Sequence, residues 1–305
     1  MVNGNTLEFR WDQENVPQQS GKIVIITGAN SGVGFEAARI MVQKGATVIM
    51  ACRNMEKSRP ALDELNNGNN TGKAILLKLD LSDFSSIRSF SDEIREKFPR
   101  VDILINNAGI MAPPYGKTAD GFELQFGTNH LGHFMLTGML LDLITPVEGS
   151  RVVTITSIAH FNGDINFDDI NSEKNYNRMG AYRQSKLANL LFAYELQRQL
   201  TGSGKRTLSV AVHPGISSTG IVKLPPLLEK LKDAVLMSPV KGAFPTIMGA
   251  TDISLKGGEY IGPKGFRQAY GLPVILESSP LSHDHELATR LWKLSEESTG
   301  IRLNL

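Results

Sequence analysis

The sequence predicts a single α/β domain: a doubly wound parallel sheet of about seven strands with helices on both faces. Three observations predict it. Short β-branched runs recur without polar alternation, helix-length segments separate them, and a glycine-rich turn joins the first run to the first helix. Strands apolar on both faces need cover on both sides, and parallel neighbours need a crossover long enough to hold a helix. At 305 residues the chain is long for one domain and short for two, and the unbroken alternation of the two patterns favours one.

Residues 1–20 lack periodicity and form an N-terminal extension, in which Phe9 and Trp11 point to packing against the domain of residues 21–305. Ile23-Val-Ile-Ile26 is the first strand, stopped by Thr27-Gly28, and a helical pattern then runs from about Gly34 through Ala37, Ala38, Ile40 and Met41 to Gly45. Further strands are expected at about 47–51, 74–79, 102–105, 151–156 and 208–212, with helices at 84–97, 131–143 and 181–200. Gly258-Glu-Tyr-Ile261 adds an edge strand that Pro263 ends. Two stretches read as irregular: 158–180, polar with Asn and Asp, and 214–240, opened by Pro214-Gly215 and holding Pro225-Pro226.

Composition excludes several function classes. The 32 basic and 31 acidic residues nearly cancel and no Lys/Arg-rich run occurs, so neither a nucleic-acid surface nor an acidic-membrane patch is implied; a small neutral partner fits better. The single cysteine, Cys52, cannot form an intrachain disulfide and reads as a small buried filler. Residues 1–20 are polar and no run of eighteen apolar residues exists, so the expectation is a cytoplasmic protein without a membrane span. No metal site is expected, because neither His130 with His133 nor His283-Asp-His285 is accompanied by a ligand set at metal-binding spacing.

Thr27-Gly-Ala-Asn-Ser-Gly-Val-Gly34 sits where a phosphate-binding turn must sit, after a strand and before a helix. Gly28 and Gly32 can take positive φ or admit a pyrophosphate to the backbone, Gly34 permits close packing, and Asn30, Ser31 and Val33 complete the turn at a helix N-terminus that offers free amides. A Rossmann-type dinucleotide site follows. An acidic residue on the second strand would suit a free adenosine ribose, but Ala46-Thr-Val-Ile-Met-Ala-Cys-Arg53 has none and ends in arginine. Arg53 presents a planar fork to a 2′-phosphate, so the expected cofactor is NADP(H). Asp80-Leu81, after the third strand, offers a carboxylate beside the adenine amino group; a turn-initiating Asp is an equal alternative. Finally, Tyr182 and Lys186 lie four residues apart, on one face of a helix. An ammonium held near a phenol favours the phenolate, which makes a general acid/base.

These motifs occur together with Asn106-Asn-Ala-Gly109, Asn129, Ser157 and His213-Pro-Gly215, and in that order the chain resembles the short-chain dehydrogenase/reductases from about Gly21 to Gly262. Ala51-Cys-Arg53, Thr128-Asn-His-Leu-Gly-His-Phe134, Ser157-Ile-Ala-His160 and the long gap between Ser157 and Tyr182 are most similar to the retinol-dehydrogenase-like branch. The resemblance implies a catalytic tetrad of Asn129, Ser157, Tyr182 and Lys186. Ser157 would hold the substrate oxygen and Tyr182 would exchange its proton. Lys186 would lower the phenol pKa and bind the nicotinamide ribose, and Asn129 would order a water behind it. Asn107 and Ala108 would pass under the adenosine ribose; the alternative is that Asn106-Asn-Ala-Gly109 chiefly locks neighbouring strands. Pro214, the backbone of Ile216 and the hydroxyl of Thr219 would meet the nicotinamide end, with Ser217 and Ser218 as alternatives to Thr219.

The segment around 214–240, with Ile221, Val222, Leu224, Leu227, Leu228 and Leu231, would be a lid over an apolar substrate. His160-Phe161 either lines that pocket or is loop. The expected activity is NADP(H)-dependent interconversion of a carbonyl and an alcohol. The alternatives are a catalytically silent NADP(H)-binding regulator, against which the intact tetrad argues, and a sugar-nucleotide epimerase-like enzyme, for which little chain remains after residue 214. Homodimer and monomer both stay open, because the stripe Leu187, Leu190, Leu191 and Tyr194 serves either a partner or the sheet.

Overall fold

In the computed structural model, which describes residues 11–68, 70–215, 237–303 and 305, the β-branched runs become β1 (Ile23–Thr27), β2 (Thr47–Cys52), β3 (Lys73–Lys78), β4 (Ile103–Asn106), β5 (Arg151–Ile155) and β6 (Leu208–Val212). With β7 (Tyr260–Pro263) and β8 (Pro273–Leu276) they form one sheet ordered β3-β2-β1-β4-β5-β6-β7-β8. The first seven strands are parallel, as the sequence predicts, and β8 adds an antiparallel edge to β7, pairing Tyr260 with Leu276 and Pro263 with Pro273. The sequence reading ends the sheet at β7. Both prolines fall at hairpin ends, where a missing amide costs no interior ladder bond.

Alternation along each strand sorts side chains between two cores. Val24 and Ile26 of β1 pack with α1 (Gly32–Gln43), α2 (Met55–Asn66) and α7 (Pro239–Thr251), whereas Ile25 packs with α3 (Phe84–Lys97), α5 (Gly132–Ile144), α6 (Arg178–Gly202) and α8 (His285–Thr299). Trp11 is buried on the first of these faces, edge-on to Phe244 with ring centroids 6.4 Å apart. Leu187 and Leu191 fill the other core, and Leu190 packs with Ala211 and Tyr260. The apolar stripe of α6 therefore covers the sheet.

Caps explain the helix starts. Asp83 accepts from the Ser85 and Ser86 amides at 2.8 and 3.3 Å at the head of α3. Asn177 accepts from the Gly180 amide at 2.7 Å, which starts α6 at Arg178, three residues before the apolar pattern begins. Before α5 the chain makes the single turn α4 (Leu124–Phe126) and then a π turn, Gly127–Leu131. Strand order reverses between β1 and β4, and the carboxyl ends of those strands open the crevice where ligands bind in doubly wound sheets.

Candidate active site

β1 ends at Thr27, and the chain turns through Gly28 and Gly32, whose φ angles of 66° and 58° suit glycine, into α1. The turn is pressed against the strand beside it. A Cβ on Gly28 would stand 3.1 Å from the Ala108 Cβ, and one on Gly34 would stand 2.6 Å from the Gly28 carbonyl oxygen and strike the Asn107 side chain. Asn107 donates from Nδ2 to the Thr27 carbonyl at 2.8 Å, so its side chain locks β4 to β1. Gly34→Ala is accordingly expected to lower stability by about 1–3 kcal/mol in a urea titration, and an unchanged midpoint would show that the turn can yield.

β2 delivers Cys52 into the core and Arg53 to the surface, where Asn54 caps α2 by accepting from the Lys57 amide at 2.9 Å. After β3, Asp80 accepts from the Ser82 amide at 3.0 Å and from its hydroxyl at 2.6 Å, so it initiates a turn while also lining the crevice. After β5, Ser157 caps a short 3₁₀ turn by accepting from the Ala159 amide at 3.2 Å and is hydrogen-bonded to the Tyr182 phenol. Lys186 donates from Nζ to the Ile155 carbonyl at 3.3 Å, and its Nζ stands 5.8 Å from the centroid of the Tyr182 ring. Burial pushes the Lys186 ammonium down to about 8. Burial also pushes the Tyr182 phenol up, with the Ser157 bond working the other way. This differs from the expectation that Lys186 lowers the phenol. The ammonium is turned to a backbone carbonyl, and loss of water sets the direction.

Asn129 lies in the π turn. Its Nδ2 donates to the Ile110 carbonyl at 3.0 Å and to Ser185 Oγ at 2.9 Å, and its Oδ1 accepts from the Ile110 amide at 2.8 Å. Both amide protons are thus taken by protein. A Cβ on Gly109 would stand 3.3 Å from Asn129 Oδ1 and 3.4 Å from Lys186 Nζ, so the glycine keeps this residue close behind the lysine.

The crevice at the sheet's carboxyl edge encloses about 610 Å³. Gly28, Asn30, Ser31, Gly32, Val33, Gly34, Arg53, Asp80, Leu81, Asn107 and Ala108 line it together with Ser157, Tyr182, Lys186 and Pro214. Asn129 is wholly buried behind them. Ile216 and Thr219 lie outside the described residues, as do residues 216–236 of the lid stretch. The cradle fits a dinucleotide: positive-φ glycines, a helix N-terminus with free amides, and an exposed arginine at the end of β2.

The family model "short chain dehydrogenase" matches residues 22–225. The chain belongs to the short-chain dehydrogenase family. Within that family of oxidoreductases it falls in the retinol-dehydrogenase-like branch. It is 40% identical to human retinol dehydrogenase 14 over 303 residues, covering 92% of this chain and 87% of that protein. It is 42% identical to human retinol dehydrogenase 12 over 288 residues, covering 93% and 88%. An uncharacterised protein of Mycobacterium paratuberculosis has a crystal structure that matches this dehydrogenase with a TM-score of 0.82 at 40% identity, over 97% of this chain and all of that one. The Pseudomonas aeruginosa RhlG/NADP complex shares the fold, with a TM-score of 0.64 at 22% identity over 80% of this chain and 94% of that one.

Sequence reasoning on this dehydrogenase misses part of the crevice wall, where Ile110, Met111, Thr128, Ile158, Ala159 and Met179 join the lining. Ile110, Met111 and Met179 lie outside every motif quoted above, and Thr128, Ile158 and Ala159 lie inside motifs without being singled out. His160 is not among them. It is buried, bonded through Nδ1 to the Ser157 carbonyl at 2.6 Å, and accepts at Nε2 from the Ser279 amide at 3.2 Å. It packs edge-on to Tyr260, which settles the histidine as structural. Among the described residues no histidine, cysteine and carboxylate cluster could hold a metal, and no helix is long and apolar enough to cross a membrane.

Proposed function

We propose that this short-chain dehydrogenase interconverts a carbonyl and an alcohol with NADP(H), on a small to medium apolar substrate, with Tyr182 as general acid/base. The observation that carries the reading is the convergence of Ser157, Tyr182 and Lys186 on the crevice that Arg53 also lines. The dinucleotide, when bound, supplies or takes up the hydride.

This chain's residues supply the rest. The α1 amides with Gly28 and Gly32 receive the pyrophosphate, Arg53 the 2′-phosphate, and Asp80 with Leu81 the adenine. Asn107 and Ala108 flank the adenosine ribose; Pro214, Ile216 and Thr219 are assigned to the nicotinamide end. Lys186 binds the nicotinamide ribose hydroxyls. Ser157 orients the substrate oxygen. Tyr182 donates its proton to that oxygen in reduction and recovers it in oxidation. Burial favours the un-ionised phenol, the form that carries the proton reduction needs. Met111, Ile110 and Met179 give the substrate side an apolar wall, and the relatives are named for retinol, itself an apolar alcohol.

Lys186 sets a pH dependence. Its ammonium, lowered to about 8, is the form that holds the ribose, so it is present below that pH and lost above it. The expected profile of kcat/KM for reduction is level near neutrality and falls as pH rises through about 8, with Lys186→Arg moving the fall to higher pH. A wild-type profile that is flat across the same range would remove Lys186 from the site.

A further inference from the structure

We propose that His133 is a positioning residue that ties the cofactor turn to Asn129, through a hydrogen-bonded bridge from Thr27 to the π turn. The proposal rests on the reading of the crevice as a dinucleotide and carbonyl site.

The two histidines of α5 and the preceding π turn behave differently. His130 reaches Ser295 Oγ at 2.8 Å and is packed among the rings of Phe126, Phe134 and Phe192, which makes it part of the core. His133 Nδ1 lies 2.8 Å from the Asn129 backbone oxygen, and its Nε2 lies 2.9 Å from Thr27 Oγ1. A carbonyl oxygen only accepts, so Nδ1 carries the hydrogen. Burial, with the Lys186 cation adding to it, holds the imidazole neutral, down to about 4. Nε2 of the neutral ring is then an acceptor.

Thr27 Oγ1 accepts from the Asn107 amide at 2.9 Å and from the Ala108 amide at 2.8 Å, which uses both its lone pairs. Its single proton has two takers, Nε2 at 2.9 Å and the Ile105 carbonyl at 3.5 Å. The shorter, to the ring, wins. The orientation of every donor is therefore determined: the Asn107 and Ala108 amides donate to Thr27, Thr27 to His133, and His133 to Asn129.

The bridge links two halves of the site. Thr27 immediately precedes Gly28, and Asn107 and Ala108 line the crevice. At the other end Asn129 clamps Ile110 and Ser185, and Ser185 donates to the Tyr182 carbonyl at 2.8 Å. Loss of the imidazole leaves the Thr27 proton only the long 3.5 Å contact to the Ile105 carbonyl, takes the side-chain donor from the Asn129 carbonyl and cuts this tie between the π turn and β1.

The test compares His133→Phe, which keeps ring bulk and has no polar atom, with His133→Gln, whose amide can donate to Asn129 and accept from Thr27. The expected results for His133→Phe are a kcat lowered about 10- to 100-fold, NADPH affinity by nicotinamide fluorescence weakened about 5-fold, and a carbonyl KM within about 2-fold. His133→Gln should recover most of both losses. In a Thr27→Val background the further loss from His133→Phe should shrink to about 3-fold or less, because the bridge is already cut. Nitrogen-15 NMR of the wild-type protein should show the Nδ1–H tautomer at neutral pH without any turnover being measured. A protonated Nε2 would overturn the proposal, as would a His133→Phe variant with wild-type kcat and NADPH affinity and only a lower Tm. If the wild type binds NADPH and reduces no carbonyl, the proposed function has failed instead, and the NMR and binding results still decide the bridge.

Discussion

Tyr182→Phe is expected to lower kcat for carbonyl reduction by about 10²- to 10⁴-fold, the range that a positioned proton donor contributes, while NADPH affinity stays within about 2-fold. Only the phenol oxygen is lost. The ring keeps its place one helical turn from Lys186, and the oxygen's bond partner in the fold is Ser157. The stability change should be small, because losing the hydroxyl's hydrogen bond is offset by no longer having to desolvate a buried polar group. Circular dichroism and fluorescence titration check the fold and the cofactor, and stopped-flow under saturating NADPH checks the chemical step. A variant that retains full turnover would mean that another group protonates the substrate oxygen.

Arg53→Ala is expected to cut the preference for NADPH over NADH, measured as the ratio of kcat/KM values, by about 10- to 100-fold. A charge-assisted bidentate contact to a phosphate is worth roughly 1.5–3 kcal/mol, and NADH lacks the phosphate that would receive it. The effect should therefore appear in the NADPH arm alone. Arg53→Asp should go further and favour NADH, because a carboxylate on the second strand accepts from a free ribose hydroxyl and repels a 2′-phosphate. Equal loss with both cofactors would assign Arg53 to packing.

Much of the fold is legible in the residues themselves because the strands are short apolar runs with sharp limits. Ile23-Val-Ile-Ile26 and Thr47 to Ala51 each extend by one residue in the structure, and α3 spans Phe84–Lys97 as its pattern and Asp83 cap require. β8 is illegible for a physical reason. Four residues carry too little periodicity to mark a strand, and its pairing with β7 is a tertiary choice. Gly28, Arg53, Tyr182 and Lys186 stand out by spacing and Ser157 by the family resemblance, and all five line one crevice. Met111 and Met179 stand out by neither. Their loop and helix start are held by Gln125, which accepts from the Ala112 amide at 2.8 Å and donates to the Arg178 carbonyl at 2.9 Å, and no local rule foretells such a tie. The same holds for the π turn at Asn129, which precedes the helix expected at 131–143 and which no residue pattern marks. Spacing also gives proximity without direction: Tyr182 and Lys186 share a face as expected, but burial, not the ammonium, sets the phenol's direction of shift.

The most direct test of the central claim follows NADPH oxidation by the purified wild-type protein across a panel of medium-length apolar aldehydes and ketones, with NADH run in parallel. The account predicts turnover of at least one carbonyl, faster with NADPH than with NADH by about 10-fold or more and abolished in Tyr182→Phe. Tight NADPH binding with no oxidation of it by any member of the panel would contradict the account and leave a cofactor-binding protein without the chemistry.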